Sequence, residues 1–236
     1  YMVLGQVISQ VSGKSVGEYL QERLLSQMGT PDVRVPVRNA DRADLAIGYW
    51  PASDDRPWLP GDDLAPATWF EVACADGNIA AHAEELARLV TLLLNNGKVG
   101  SRQVLSPQSV SALTRPHAPT GEPVVRWPQG PSVESSRYGH GVNVETIGGN
   151  HVVTHGGGMV GYSTFMLTDL TSGLGVVVLT NSTGEYPAAQ LIARAAHRLL
   201  IDQAYELPTT DPRLTSAEIG SAQYGDFYSN GLHSVS

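Results

Sequence analysis

The stretch from His151 to Asn181 constrains the fold of this chain more than any other part of its sequence. It reads HVVTHGGGMVGYSTFMLTDLTSGLGVVVLTN, in which β-branched and aromatic residues surround a run of three glycines. Such residues favour pleated, half-buried backbone. The residues from Asp169 to Gly173 have the composition of a tight hairpin turn. The apolar run from Val176 to Leu179 is typical of a strand that is covered on both faces. The stretch therefore predicts a pair of antiparallel strands.

The three glycines lie inside this strand pattern, at positions 156, 157 and 158, directly after His155. Glycine in a strand costs backbone entropy and offers no side chain for packing. Successive glycines therefore mark a place where another group approaches the backbone closely. A bound ligand is one candidate for that group.

Composition excludes several classes of function. Cys74 is the single cysteine, so the chain can form neither an intrachain disulfide nor a thiolate metal cluster. The net charge is -8 and the 15 basic residues are scattered, which argues against a nucleic-acid partner. No apolar run approaches the roughly 18 residues that a membrane span needs. We therefore expect a small-molecule or peptide substrate and leave the oligomeric state open.

Helical periodicity recurs on both sides of a Pro-rich and Asp-rich middle segment. Ser15 and Glu18 predict a capping box, and Ser106 and Pro107 predict a helix start. Four helices are expected before the central stretch and one after it: 3–11, 15–28, 83–95, 106–113 and 188–204.

Two further strands and a boundary complete the expected organisation. An alternating pattern predicts strands at 45–50 and 138–146, with a hairpin turn at 147–150. We expect one domain over residues 1–205, a linker at 206–216 and the start of a small β domain at 217–236. The order of elements indicates the α+β class, with an antiparallel sheet flanked by helices and an all-helical subdomain.

Several segments together resemble the serine β-lactamase and penicillin-binding-protein superfamily, in particular its class C β-lactamase-like group of peptidases and esterases. The resemblance covers about residues 1 to 200. It is carried by these matches: YMVLG at 1–5, VSG at 11–13, GNI at 77–79, ELARL at 85–89, LSP at 105–107, YGHG at 138–141 and HGGGMVGYS at 155–163. It implies a β-lactamase/transpeptidase-like fold and no cofactor.

The resemblance also implies acyl transfer, in which a serine attacks an amide or ester carbonyl and water later releases the acyl group. The family uses a Ser-x-x-Lys pair, a Tyr-x-Asn motif and a Lys/His-Thr/Gly-Gly strand. His155, Gly156 and Gly157 match the third motif, so His155 is the expected catalytic residue. Gly156, Gly157 and Gly158 are the expected substrate-binding residues, with the Gly158 N–H as an oxyanion donor.

The first two motifs are missing from this sequence. The only lysines are Lys14 and Lys98, and neither has a serine three residues before it. We therefore expect an N-terminally truncated domain whose nucleophile lies upstream of Tyr1, and no acyl-enzyme chemistry in this chain alone. The alternative is a non-catalytic binding or structural module. β-Lactam, D-amino-acid peptide and short ester all remain open as substrates, and the family implies a periplasmic or secreted location.

Three other motifs are weaker candidates. His151 and His155 are four residues apart, but on a strand that spacing does not make a metal pair, and no acidic or cysteine third ligand accompanies them. Ser163 lies in a sequence similar to a nucleophile elbow but without its second glycine, so it is expected to be structural. The letters of Tyr-x-Asn recur at 228–230, in the wrong order along the chain for the family motif. No metal site is predicted.

Overall fold

The structure, a computed structural model, describes residues 1–53, 62–69, 71, 74–121, 124, 133–183 and 188–202. The predicted linker at 206–216, the predicted β domain at 217–236 and the Tyr-x-Asn letters at 228–230 lie outside the described residues.

The helices follow the predicted periodicity closely. Ser15 accepts a hydrogen bond from the Glu18 N–H while the Glu18 side chain accepts one from the Ser15 N–H, so the capping box is confirmed. Gly13 ends the first helix at φ 70°. The helices are α1 (Met2–Ser12), α2 (Val16–Leu20), α3 (Ser26–Met28), α4 (Ala83–Leu94), α5 (Pro107–Leu113) and α6 (Ala188–Ile201), with a π-helical turn (Gln21–Leu25) between α2 and α3 and a 3₁₀ helix at Asn39–Ala43. Within the described ranges no helix has the length and apolar character needed to cross a membrane.

A five-stranded antiparallel sheet forms the centre of the fold. Its strands are paired in chain order, each with the next, as a meander. They are β5 (Val133–Tyr138), β6 (Asn143–Ile147), β7 (Asn150–Met159), β8 (Tyr162–Asp169) and β9 (Leu174–Thr180); two small hairpins, β1 (Tyr49–Pro51) with β2 (Leu64–Pro66) and β3 (Lys98–Val99) with β4 (Arg102–Gln103), lie outside this sheet. The α+β class and the helix-flanked antiparallel sheet are confirmed.

The central stretch forms three strands, so the prediction of a strand pair was wrong. The predicted turn after Asp169 is present, but a second turn at Val160 and Gly161 separates β7 from β8. Gly161 adopts φ 87°, which a side chain would disfavour. Met159 and Tyr162 face each other as the last pair before this turn.

The predicted strand at 138–146 also divides into two. β5 ends at Tyr138 and β6 begins at Asn143, with a tight turn between them. Gly141 takes φ 77° in this turn, and a Cβ on Gly139 would come within 2.6 Å of the Leu113 carbonyl oxygen. The two glycines therefore permit a reversal that the alternating pattern had concealed. The predicted turn at 147–150 is confirmed, with Gly148 at φ 58° and Gly149 at φ 80°.

Two apolar clusters cover the two faces of the sheet. Helix α4 packs on one face, where Val90 and Leu93 join Val153 and Met166 in one cluster. Helix α6 packs on the other face, where Ala189 and Ala193 meet residues of β6 to β8, including Ile147, Val152, Phe165 and Leu167. In β9, Val177 joins the first cluster, and Val176 and Val178 join the second. The prediction that both faces of this strand are covered is confirmed.

Helix α6 is also held to the sheet by two buried polar pairs. Arg194 donates from Nη1 and Nη2 to the two carboxylate oxygens of Glu145 in β6, each at 2.9 Å, and the two side chains are 5% and 0% exposed. Thr154 donates a further hydrogen bond to Glu145 at 2.9 Å. This geometry gives the carboxylate partners on both oxygens, as a buried charge requires.

The second pair joins His197 to Asp169 at the end of β8, with 2.9 Å between Nε2 and Oδ2. Asp169 also accepts hydrogen bonds from the backbone N–H groups of Thr171 and Ser172 and from the side chain of Asn150. Burial by itself raises the pKa of Asp169, but the hydrogen bonds to Ser172, His197 and Asn150 together outweigh it and hold the pKa below its ordinary value. The carboxylate therefore fixes both the β8–β9 turn and the last turns of α6.

Candidate active site

The His-Gly-Gly-Gly sequence occupies the second half of β7, where one edge of that strand is open. Pairing with β6 ends at Thr154, which faces Asn143, whereas pairing with β8 continues to Met159. Within the described parts of the chain, no strand pairs with residues 155–159 on the β6 side. We call this the open edge of β7.

The backbone of alternate residues in this strand points into the open edge. The Leu170 N–H donates to the His151 carbonyl oxygen at 2.9 Å, so the backbone polar groups of His151 face the β8 side. These groups alternate in direction along an antiparallel strand, and the β7–β8 register has no bulge. The N–H and C=O groups of Gly156 and Gly158 therefore face the open edge, where a ligand in extended form could pair with them.

Glycine at positions 157 and 158 leaves β7 itself without side chains beside this edge. Gly157 and Gly158 are exposed, and a Cβ on Gly158 would meet no heavy atom within 4 Å. A Cβ on Gly157 would collide with the Thr164 hydroxyl. Since alternate residues of a strand share a face, Gly157 lies on the same face as His155. On that face β7 itself has no side chain at position 157, and the Thr164 side chain of β8 occupies the place that a Gly157 side chain would take.

The His155 imidazole contacts one tyrosine that is far away in sequence, and that tyrosine contacts a second. Its Nε2 atom lies 3.4 Å from the Tyr138 hydroxyl oxygen at the end of β5. The Tyr138 hydroxyl in turn lies 3.0 Å from the hydroxyl of Tyr1, at the start of α1. The alternating pattern predicted Tyr138 only as a strand residue, because no local spacing signals a contact across 17 residues.

Helix α1 and the turn at Gly77 border the same region. Gly5 of α1 packs so closely on Ala75 that a Cβ there would overlap its side chain. Gly77 adopts φ 68°, and its nearest neighbour in the direction of a Cβ is the Met159 sulfur, at 3.8 Å. The glycine turn therefore lies beside the end of β7. Gly5 permits the close packing on Ala75, and Gly77 permits the left-handed backbone of the turn.

Two of the weaker candidates lie among the described residues, and neither forms a site. His151 hydrogen-bonds through Nε2 to the Thr114 carbonyl oxygen at 3.0 Å, and four residues of strand separate it from His155 by roughly 13 Å. Among the described residues no group of three or more His, Cys, Asp or Glu side chains could hold a metal ion. Ser163 is 3% exposed in β8, as expected for a structural residue.

An antiparallel meander between helices, with a glycine-rich open edge, defines a β-lactamase/transpeptidase-like protein. The fold is shared with the octameric penicillin-binding protein homologue from Pyrococcus abyssi (TM-score 0.66, 22% identity, 84% of this chain and 40% of that chain). It is also shared with the D-amino acid amidase from Ochrobactrum anthropi SV3 complexed with L-phenylalanine (TM-score 0.62, 18% identity, 86% and 58%).

The family follows from the sequence match. The Beta-lactamase family model matches residues 1–201, so the chain belongs to that family, within the serine β-lactamase and penicillin-binding-protein superfamily. A curated relative, penicillin-binding protein 4* of Bacillus subtilis (strain 168), is 23% identical over 242 residues, which is 98% of this chain and 49% of the relative. The chain thus spans about half the length of that relative. The family assignment made from the sequence is confirmed, and the class C-like subgroup stays a prediction.

Proposed function

We propose that the protein containing this chain is a serine hydrolase that cleaves an amide or ester through an acyl-enzyme. The observation that carries the proposal is the position of His155 and its three glycines at the open edge of β7. An acyl substrate in extended form could lie along this edge and pair with the backbone groups of Gly156 and Gly158.

In the proposed mechanism, a serine upstream of Tyr1 attacks the substrate carbonyl carbon. The Gly158 N–H donates a hydrogen bond to the carbonyl oxygen as it becomes an oxyanion. The C–N or C–O bond then breaks, and the leaving group takes the proton that the serine hydroxyl gave up. Water attacks the resulting serine ester and releases the acid, which regenerates the serine hydroxyl. His155 presents its imidazole to the substrate beside the open edge, at the residue where pairing with β6 has ended.

The proposed nucleophile belongs to a Ser-x-x-Lys pair, and a Tyr-x-Asn motif accompanies it upstream of this chain. Neither Lys14 nor Lys98 is preceded by a serine at the required spacing, so the proposal assigns both motifs to sequence before Tyr1. We also propose that the protein acts in the periplasm or is secreted, which detection of the mature protein in a periplasmic or culture fraction would test.

The substrate class we propose is a β-lactam, a D-amino-acid peptide or amide, or a short ester. Two of the similar proteins are named for related ligands or substrates, one as a penicillin-binding protein and one as a D-amino acid amidase. A histidine in place of lysine in the third motif favours the peptide, amide and ester substrates over β-lactams.

An active-site label tests the proposal directly. The full-length protein and this chain are incubated with a fluorescent penicillin and with a fluorophosphonate, and the modified serine is located by mass spectrometry. We expect the full-length protein to be labelled upstream of Tyr1 and this chain to remain unlabelled. An adduct on a serine of this chain, such as Ser163, would contradict the assigned nucleophile.

The alternative function is a non-catalytic module that keeps the fold for binding. The observation that favours it is the absence of a Ser-x-x-Lys pair from this sequence. A folded full-length protein that takes neither label would support this alternative over the hydrolase.

A further inference from the structure

We propose that Tyr138 is a positioning residue for His155 and that Tyr1 is the outer member of the same hydrogen-bonded chain. The Tyr138 hydroxyl oxygen lies 3.4 Å from His155 Nε2 and 3.0 Å from the Tyr1 hydroxyl oxygen. The three side chains come from β5, β7 and the start of α1. The inference rests on the proposed function, because it concerns how the imidazole is presented to a substrate at the open edge.

The neighbours of His155 on its own strand offer no hydrogen-bonding side chain on the same face. The neighbours that share its face on β7 are Val153, which is fully buried in the core, and Gly157, which has no side chain. Met166 faces it from β8. Tyr138 approaches from the β5 side of the sheet, the side on which β7 is open, and so holds the imidazole where β6 no longer can.

The backbone of Tyr138 is fixed independently of His155. Its N–H donates to the Thr120 carbonyl oxygen at 3.2 Å, and its carbonyl oxygen accepts from the N–H groups of His117 and Ala118 at 2.8 and 2.9 Å. These bonds tie the end of β5 to the segment after α5. The phenol is therefore placed by a fixed backbone, as a residue that orients another side chain requires.

The chain of three groups can carry hydrogen bonds in either direction. With neutral His155 protonated on Nδ1, Tyr1 donates to Tyr138 and Tyr138 donates to Nε2. When Nε2 carries a proton, it donates to Tyr138, whose own hydroxyl then donates to Tyr1. Tyr138 thus couples the proton position on the imidazole to a hydroxyl on α1, without any covalent bond changing.

The experiment compares the Tyr138→Phe variant of the intact protein with wild type. Tyr19→Phe is the matched control, since it removes the same hydroxyl from helix α2, outside the sheet. The readouts are the ¹⁵N chemical shifts of the two His155 ring nitrogens and the kinetics with a chromogenic ester. For Tyr138→Phe we expect the Nε2 resonance to move and kcat to fall about threefold to tenfold, with KM changed by less than about twofold. Tyr19→Phe should leave both readouts at wild-type values.

The two readouts separate this inference from the proposed function. If wild type is active and Tyr138→Phe changes neither the Nε2 resonance nor kcat, the positioning role is overturned. If wild type shows no hydrolysis and takes no label, the proposed function fails. The Nε2 chemical shift then tests the positioning role by itself. A change of this shift in Tyr138→Phe supports the role, and no change overturns it. If Tyr138→Phe does not fold, Tyr1→Phe replaces it. A small change in the His155 Nε2 chemical shift would then support the three linked side chains, and no change would overturn the proposal.

Discussion

Asp169 and His197 meet at 2.9 Å inside the protein, and their contact joins the end of a strand to the last helix. The Asp169 carboxylate is fully buried, and it also closes the β8–β9 turn through the N–H groups of Thr171 and Ser172. One side chain therefore stabilises both a turn and the docking of a helix. We expect substitutions of this side chain to lower the free energy of unfolding.

Replacing Asp169 by Asn should lower the free energy of unfolding by about 2 to 4 kcal/mol. The amide NH₂ group would face a donor that the carboxylate oxygen had satisfied, so a buried hydrogen bond is lost and two donors oppose each other. Urea unfolding followed by circular dichroism measures the change. Asp202→Asn is the control, because Asp202 pairs with Arg198 on the surface, and it should cost less than about 1 kcal/mol. Equal losses of unfolding free energy in the two variants would show that the buried pair contributes no more to stability than the exposed pair.

The same carboxylate should make stability depend on pH in the acid range. Its hydrogen bonds hold the pKa in the folded state below the ordinary value of 3.8, so the unfolded state binds the proton more tightly. The contribution is fully present above the unfolded-state pKa and is lost as the pH falls through the lower, folded-state pKa. Unfolding measured from about pH 7 down to about pH 2 should give a shallower acid decline for Asp169→Asn than for wild type. Parallel curves of unfolding free energy against pH would mean that Asp169 binds its proton equally well in the folded and unfolded states.

Breaking the Glu145–Arg194 pair from one side should be costly. Arg194→Met leaves a buried carboxylate without its countercharge and should lower the free energy of unfolding by about 3 to 5 kcal/mol. Adding Glu145→Leu removes that charge and should recover part of the loss, so the double variant is more stable than the sum of its single variants predicts. Urea unfolding of the three variants measures the coupling. Arg198→Met, which breaks the exposed pair with Asp202, serves as the control, and strictly additive losses at 145 and 194 would refute the coupling.

The proposed oxyanion donor can be removed without adding bulk to the His155 face. Gly158→Pro deletes the N–H that faces the open edge, whereas Gly158→Ala keeps it and places a methyl group in open space. We expect kcat for ester hydrolysis by the full-length protein to fall about 10²- to 10³-fold in the Pro variant. The Ala variant should stay within about threefold of wild type. Thermal melting checks that both variants fold, and equal kcat values in two folded variants would remove Gly158 from the mechanism.

Elements with a local chemical signal could be predicted from the sequence. The helix at Pro107–Leu113 has a serine N-cap followed by proline, and the turn at Gly148 and Gly149 has two glycines at positive φ. The turn at Val160 and Gly161 was missed because valine is not a turn residue. It became a turn because the strands on both sides of it pair in register. The position of this turn is set by the pairing of β7 with β8, which a single sequence does not show.

The site was predictable only in part for the same reason. The His-Gly-Gly-Gly sequence indicated the strand that a ligand could approach, because glycine lets another group come close to the backbone. The open edge depends on where β6 begins, because its first residue, Asn143, faces Thr154 and β7 extends beyond that pair. The contact of Tyr138 with His155 depends on the turn that Gly139 and Gly141 permit. Both are properties of how three strands are arranged, so neither could be found from local spacing.

The difference in extent between β6 and β7 sets the length of the open edge. β7 continues past its neighbour from His155 to Met159. At about 3.3 Å per residue, that overhang offers roughly 13 to 16 Å of backbone, which is enough for four or five units of an extended chain. If the proposed function holds, selectivity for the length of an extended substrate could therefore evolve through the residue at which β6 begins, by one residue more or less of pairing, while His155 and its glycines stay unchanged.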